Sequence, residues 1–301
     1  MQQCSRMMER APDVFSTFHR CALVTGHPGH ELRVFGWAVE NRPRLYVLTD
    51  GSGSGRSSRI STTRKLALDV GAREGEIFGS TRDHEFYRAI ITGRTSFFVE
   101  LLDVLAASFI EHDIDCVLGD AAEGFNPTHD ICRYLVDSTV ELVSRESGRT
   151  IANYQYRLTE RELGQVEQHD NHCIHVTLSD AAFAAKLAAA RTYVALDGEV
   201  TTALAHYGED HFRTECMKPA EKPSLETRGA KPYYEVFGEE RVRDGVFDTV
   251  LRYENHVQPI RQALTDRVLS VVRKGAIEVP NEAAPESFLG TRTPEATQSA
   301  R

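Results

Sequence analysis

Residues 21–31 read Cys-Ala-Leu-Val-Thr-Gly-His-Pro-Gly-His-Glu, a short apolar run followed by a Pro-Gly turn between two histidines. The apolar part has the length and composition of a buried β-strand. Similar runs occur at 45–48 and 116–118, and each is followed closely by Asp or Gly. Buried strands that alternate with helical segments are typical of a parallel sheet covered by helices. The sequence therefore predicts an α/β fold with a Rossmann-like, mostly parallel sheet.

Helical segments are predicted between and after these strands. Residues 59–70 and 83–110 carry apolar side chains at helical spacing, and Gly93 is a candidate interruption of the second segment. A third helix is expected to start near Thr128, whose side chain is able to cap the N–H groups of the first turn. These helices would cover the predicted sheet.

The second half of the chain has a different pattern. It predicts two strands, 153–156 and 173–178, and then an Ala-rich helix that begins after Ser179 and runs to about Tyr207. Residues 218–231 are rich in proline and charge, which predicts a surface loop. We interpret this half as a C-terminal α+β extension.

The chain is expected to divide into four parts. Residues 1–16 are a flexible N-terminus, and residues 17–160 are a Rossmann-like metal-binding core. Residues 161–275 are the extension, which completes the fold and is a candidate contributor to the substrate pocket. Residues 276–301 contain three prolines and few apolar residues, which predicts a flexible tail.

The composition disfavours several classes of protein. Hydrophobic residues make up 41% and charged residues 26% of the chain, which is ordinary globular usage. The net charge of −9 disfavours a nucleic-acid partner. No apolar stretch approaches the roughly 20 residues of a membrane span, and the first residues lack the apolar core of a secretory signal. We therefore expect a cytoplasmic protein with no membrane span and a small-molecule substrate, and the oligomeric state is left open.

The cysteines lack the close spacing of a thiolate metal site or a redox motif; they lie at positions 4, 21, 116, 132, 173 and 216. This distribution predicts small core residues of a reduced protein. His169, His172 and His175 are interpreted as surface histidines, since strand alternation does not turn all three to one side. His211 and Glu215 have helical spacing and are interpreted as an exposed pair.

Histidines follow two of the predicted strands. His27 and His30 lie on the Pro-Gly turn after the first strand, and His129 follows the strand at 116–118. In an open parallel sheet both loops lie outside the carboxyl ends of the strands, where ligands bind. Three protein ligands and an exchangeable water are the general form of a catalytic zinc site. The sequence therefore predicts that His27, His30 and His129 bind a divalent metal, with Zn²⁺ as first candidate and Fe²⁺ or Mn²⁺ as alternatives. The competing interpretation is that these histidines cap turns or pack at loop ends.

Both histidine motifs resemble those of the PIG-L/LmbE-like metal-dependent deacetylases, which act on N-acetylated sugars and related amides. The family's first motif, His-Pro-Asp-Asp-Glu after the first strand, is similar to His27–Glu31 here. Its second, Pro-Asp-His at a helix start, is similar to Pro127–His129, and Leu48–Gly51 also resembles the family pattern. The resemblance covers about residues 20–150.

The resemblance implies a metal-dependent hydrolase that removes an N-acyl group from an amino sugar or a related small metabolite. It makes His27 and His129 metal ligands and places His30 where the family has a metal-binding aspartate. Gly29 stands where the family usually has the aspartate taken to be the general base, and glycine has no group that moves a proton.

If hydrolysis is retained, another carboxylate must act on the water. Asp120 and Glu123 are the candidates because they share a strand-end loop with His129, and Glu31 and Asp130 are reserves. Asp120 is also an alternative metal ligand. The competing interpretation is that these acidic side chains cap backbone N–H groups of turns.

Three further residues complete the candidate site. Asn126 is placed to stabilise an oxyanion through its amide N–H groups, where the family often has a histidine. Arg59 and Glu31 are candidate substrate contacts, and a solvated side chain is the alternative for Arg59. Two other functions stay open: a metalloenzyme of this fold with a different reaction, or a non-catalytic metal-binding protein.

Overall fold

The computed structural model describes residues 18–53, 57–159, 173–220 and 231–277. Within these residues one sheet contains the strands β1 (Cys21–Thr25), β2 (Arg44–Thr49), β3 (Arg73–Thr81), β4 (Cys116–Asp120), β5 (Ala152–Tyr156), β6 (Ile174–Thr177) and β7 (Thr214–Pro219). Their order is β3-β2-β1-β4-β5-β7-β6. The first five strands in this order, β3, β2, β1, β4 and β5, are parallel. β7 pairs antiparallel with β5, and β6 pairs antiparallel with β7. The predicted mostly parallel α/β fold is confirmed.

The helices of the described residues are α1 (Phe35–Asn41), α2 (Ile60–Val70), α3 (Asp83–Ile91), α4 (Thr95–Glu111), α5 (Pro127–Ser147), α6 (Asp180–Thr192), α7 (Asp197–Tyr207), α8 (Tyr233–Arg243) and α9 (Gln258–Ile277). They cover both faces of the sheet. In β1, Ala22 and Val24 pack with α3, α4, α5 and α9, while Cys21 and Leu23 pack on the other face with α1 and α2. This alternation buries both faces of the central strands and explains their continuous apolar runs.

Most of the predicted strands and helices are confirmed. The three apolar runs are β1, β2 and β4, and the segments 59–70, 153–156 and 173–178 correspond to α2, β5 and β6. The long segment 83–110 is divided into α3 and α4 by Gly93, which has a φ of 65°. Such positive φ values suit glycine and end the first helix.

The start of α5 at Pro127 agrees with the predicted start near Thr128, but the predicted cap of α5 and the predicted end of the Ala-rich helix are wrong. Asn126, not Thr128, caps α5: its side chain accepts a hydrogen bond from the Thr128 N–H at 2.8 Å, and Pro127 occupies the first turn. Ser179 caps α6 as predicted, but the helix ends near Tyr193 instead of running to Tyr207. The Tyr193 side chain is 1% exposed, so burial of this ring accompanies the break between α6 and α7.

The second half joins the same sheet. Lys218 and Pro219 belong to β7, so the predicted loop 218–231 is wrong at its start, and residues 221–230 of that prediction lie outside the described part. The predicted flexible N-terminus, residues 1–16, also lies outside it. Residues 276 and 277 of the predicted tail belong to α9, and the rest of that tail lies outside the described part. Among the described helices, none combines the length and apolarity needed to cross a membrane.

The interpretation of His211 and Glu215 as an exposed helical pair is wrong. His211 is exposed, but Glu215 lies in β7 and is 1% exposed. Its carboxylate accepts hydrogen bonds from the N–H groups of Gly36 at 2.8 Å and Trp37 at 3.0 Å, at the start of α1. Lys186 in α6 also donates to it, at 2.9 Å. The second half of the chain is thereby tied to the first.

Candidate metal centre

The site lies where the strand order of the sheet changes direction: β2 and β3 lie on one side of β1, and β4 and β5 lie on the other. β1 is paired with β2 on one side and with β4 on the other, and all three run parallel. The loops that follow β1 and β4 therefore leave the same edge and diverge above a crevice. His27 and His30 follow β1, and His129 lies in the first turn of α5, after β4.

The structure brings the three predicted histidines together. The ring centres of His27 and His30 are 5.3 Å apart, those of His27 and His129 are 5.5 Å apart, and those of His30 and His129 are 4.7 Å apart. The rings meet edge to face rather than in a stack. Three imidazoles from two loops thus surround one small volume.

Asp120 positions the ring of His30. The Nδ1 atom of His30 lies 2.8 Å from Asp120 Oδ2, which also accepts the Gly26 N–H at 2.7 Å. The Tyr156 hydroxyl donates to Asp120 Oδ1 at 2.7 Å. Burial alone would raise the pKa of Asp120, but the attraction and hydrogen bond of His30 outweigh it and lower the pKa to about 2. The ionised carboxylate accepts the Nδ1 proton, which leaves Nε2 of His30 able to bind a cation.

His27 is oriented by Thr49 and Asp83. Its Nδ1 atom lies 2.7 Å from Thr49 Oγ1 and 3.3 Å from Asp83 Oδ1. Because the Thr49 hydroxyl donates its proton to the Gly26 carbonyl at 3.0 Å, it accepts from Nδ1–H of His27. Nε2 of His27 is then available as a ligand, as in His30.

Asp83 was not among the predicted site residues; it occupies the start of α3, after the edge strand β3. Burial disfavours the charged carboxylate, but the hydrogen bond and charge of His27 hold the pKa of Asp83 well below its ordinary value. The Gly53 N–H also donates to Asp83 Oδ2 at 2.7 Å. Most residues of β3 are exposed or half-buried, so no apolar run indicated a strand that would end at this position.

His129 provides a test of whether these residues fit a metal. The residue is 7% exposed, and its Nδ1 atom is buried without a hydrogen-bond partner. Burial and the neighbouring His30 lower the pKa of His129 well below its usual value, and burial also lowers that of His27. These two rings are therefore neutral at pH 7, the form that binds cations. The buried nitrogen without a partner and the donor set fit a divalent transition metal.

The His-Pro-Gly-His turn is held from below by Glu31. This residue is 3% exposed, and its Oε2 atom accepts the Gly29 N–H at 2.8 Å. Oε1 accepts the hydroxyl proton of Tyr193, whose oxygen also lies 3.0 Å from Thr63 Oγ1. Burial raises the pKa of Glu31. One carboxylate oxygen of Glu31 thus holds the turn, and the other joins it to Tyr193.

Gly29 has a backbone that other residues rarely adopt. Its φ is 104°, and a Cβ atom on it would overlap the Cδ1 atom of Leu196, which lies between α6 and α7. A side chain at the position where the resembling family has an aspartate would thus strain the backbone and displace the Leu196 side chain.

The other predicted site residues contact nearby backbone or side chains. Glu123 accepts hydrogen bonds from the N–H groups at 158 and 159 and from the Thr159 hydroxyl, and burial raises its pKa. Asn126 Oδ1 accepts from the Thr128 N–H and from the Tyr87 hydroxyl at 3.0 Å. Nε of Arg59 donates to the Gly51 carbonyl at 2.7 Å, and Asp130 Oδ1 accepts the Gly124 N–H at 2.9 Å.

No protein-family model matches the chain, and no curated protein sequence matches it. The chain is similar to solved structures of deacetylases. A triple mutant of a deacetylase of the teicoplanin biosynthetic pathway is 13% identical, with a TM-score of 0.48 over 69% of this chain and 100% of that chain. The zinc-inhibited form of teicoplanin deacetylase is 12% identical, with a TM-score of 0.46 over the same shares. The A40926 pseudoaglycone deacetylase is 13% identical, with a TM-score of 0.44 over 69% of this chain and 99% of that chain.

Proposed function

We propose that this chain is a metal-dependent hydrolase that removes an N-acyl group, acetyl first of all, from an amino sugar or a related small metabolite. The observation that carries the proposal is the meeting of His27, His30 and His129, with ring centres 4.7 to 5.5 Å apart, at the carboxyl ends of β1 and β4. The substrate class comes from the resemblance of the two histidine motifs to the N-acetyl-sugar deacetylases.

The three histidines are the proposed metal ligands. Their donor set suits Zn²⁺ first, and Fe²⁺ or Mn²⁺ as alternatives. A divalent cation held there supplies Lewis-acid polarisation of the acyl carbonyl and lowers the pKa of water. The protein's contribution is to fix the tautomers, through the Asp120 carboxylate behind His30 and the Thr49 hydroxyl behind His27.

Asp120 acts through His30 in this proposal. Its two oxygens already accept from Gly26, His30 and Tyr156, so the carboxylate positions the ligand instead of carrying a proton to or from the substrate. Glu123 is similarly occupied by the N–H groups at 158 and 159 and is assigned to holding that loop.

Asp83 acts through His27 in this proposal. Its Oδ1 atom is buried and lies 3.3 Å from His27 Nδ1, so it faces this nitrogen and not the proposed ligand atom Nε2. A carboxylate whose pKa is held so low is a weak proton acceptor, and we assign it to orienting the His27 ring. Asn126 keeps its proposed role, since its Oδ1 atom is engaged and its amide N–H groups are the donors for an oxyanion.

A second candidate function is a metalloenzyme of this fold with a different reaction. It is favoured by Gly29, where the φ of 104° and the nearby Leu196 side chain disfavour the carboxylate that the deacetylase motif normally has. In that case Fe²⁺ or Mn²⁺ would be the metal to test first, because both support reactions other than hydrolysis.

The first test is metal analysis and amine release with the full chain. Purified protein is expected to contain a divalent metal and to release free amine from N-acetylglucosamine or its simple glycosides. His27→Ala and His129→Ala are each expected to lose the metal from this site and the activity, because two imidazoles do not hold it. Metal retained at this site in the double variant would refute the ligand assignment, and metal without amine release would favour the second candidate function.

Asp120→Asn tests the positioning role. The amide removes the charge that orients His30 while keeping the shape of the side chain, so metal affinity is expected to fall about 10- to 100-fold. Competition with a chelating indicator measures this. Asp115→Asn is the matched control, because Asp115 accepts backbone N–H groups of 19 and 20 at the other end of β4. Equal metal affinity in the two variants would contradict the proposed role.

Asp83→Asn tests the orientation of His27. We expect metal affinity to fall about 10- to 100-fold, because the amide carries no charge to orient the His27 ring. The control is Glu85→Gln on the same helix, whose side chain accepts the Arg82 N–H and lies outside the site. Equal metal affinity in the two variants, measured with a chelating indicator, would remove Asp83 from the proposed site.

Gly29→Ala tests how much a side chain at position 29 destabilises the fold. A methyl group at this φ and against Leu196 is expected to lower the free energy of unfolding by about 1–3 kcal/mol. Adding Leu196→Ala removes the overlap but not the backbone strain, so the double variant should cost less than the sum of the two single variants. Urea unfolding followed by circular dichroism measures all three, and simple additivity would argue against the overlap.

A further inference from the structure

Two cysteines and a histidine lie on one side of the β6–β7 pair. His175 in β6 lies directly opposite Cys216 in β7 in the antiparallel register. Cys173 precedes His175 by two residues, so strand alternation turns both side chains to the same face. The wide spacing of the cysteines in the sequence therefore does not separate them in the fold, and His175 is not an isolated surface histidine.

The opposite face of these two strands packs against the hydrophobic core. Met217 is fully buried, and Val176 packs against the apolar clusters of the sheet. The face with Cys173, His175 and Cys216 is half-buried instead, and it lines a cavity of about 280 Å³. The three side chains are thus accessible to a small ion while their strands are held in place.

The three groups have the chemistry and spacing of a metal site. One ligand atom from each of Cys173, His175 and Cys216 lies within 4.8 Å of the other two. Two sulfur ligands at about 2.3 Å from a tetrahedral zinc ion lie roughly 3.8 Å apart, so side-chain adjustments of about 1 Å close the site. Thiolate and imidazole ligands select zinc and similar soft or borderline cations.

The charges around the cavity are mixed among the described residues. Those that line it include four cationic side chains, Arg33, Arg157, Lys186 and Lys218, and two acidic ones, Asp210 and Glu215. Lys186 is paired with Glu215 at 2.9 Å. Two cysteines that lose their protons on binding balance the charge of a divalent cation.

We propose that Cys173, His175 and Cys216 form a second metal site, which binds Zn²⁺ or a similar thiophilic divalent cation and leaves one tetrahedral position to water in the cavity. Binding forms two metal–sulfur bonds and one metal–nitrogen bond and releases the two thiol protons to solvent. The site joins β6 to β7, which are separated in the chain by α6 and α7. It shares no ligand with the three-histidine site and does not depend on the proposed function.

Cobalt substitution of the full chain separates the two sites. Protein stripped with a chelator under reducing conditions is titrated with Co²⁺, and near-ultraviolet absorption from sulfur-to-cobalt charge transfer is recorded. We expect this band to stop growing when each chain holds one cobalt ion at the cysteine site. Added Zn²⁺ should displace the cobalt and remove the band. Because His27, His30 and His129 provide only nitrogen, the His27→Ala/His129→Ala variant should keep the band even if the proposed function fails.

Variants assign the band to its ligands. Cys173→Ala and Cys216→Ala are each expected to lose it, while the matched controls Cys21→Ala and His211→Ala should keep it. Absence of the band in the wild-type chain, or its persistence in both cysteine variants, would overturn the proposal.

A second measurement covers the case in which the cysteine variants do not fold. In the wild-type chain, Zn²⁺ should slow iodoacetamide labelling of Cys173 and Cys216 at least tenfold, as read by peptide mass spectrometry. Equal labelling rates with and without Zn²⁺ would overturn the proposal.

Discussion

A single buried carboxylate organises the edge of the sheet on which the proposed site depends. Asp120 is fully buried, and three donors from two parts of the sheet converge on it: the Gly26 N–H and the His30 ring after β1, and the Tyr156 hydroxyl of β5. A buried charge is costly unless it is hydrogen-bonded in this way. A Cβ atom at Gly26 would lie 3.1 Å from Asp120 Oδ2, so the residue before the histidine turn must stay small for the carboxylate to approach.

The same arrangement supplies negative charge to the proposed ligand set, which has none. His27 and His129 are neutral in the buried site, and His30 replaces the aspartate of the resembling family. The anions lie one step behind the ligands instead, with Asp120 behind His30 and Asp83 beside His27. Carboxylates that contact the histidines and not the metal neutralise less of its charge, so a bound cation would be more electrophilic than one with a carboxylate ligand. This offers a physical reason why a chain with Gly29 retains a functional metal site in our proposal.

Sequence patterns were sufficient where local chemistry determines structure. The runs that became β1, β2 and β4 are buried on both faces, so their apolar composition alone indicated strands, and the histidines directly after β1 and β4 indicated the shared edge. Patterns failed where tertiary contacts decide. β3 is an exposed edge strand, so neither it nor Asp83 behind it carried a signal. Tyr193 breaks an Ala-rich helix because its ring is buried, and the pairing of Cys216 with His175 depends on register between distant strands.

The supports of the histidine turn come from far along the chain. Tyr193 donates to Glu31 beneath the turn, and Leu196 covers Gly29. Tyr193 stands 162 positions after Glu31, beyond all five parallel strands of the sheet. During synthesis the histidine turn and the parallel strands are therefore made before the two residues that support the turn.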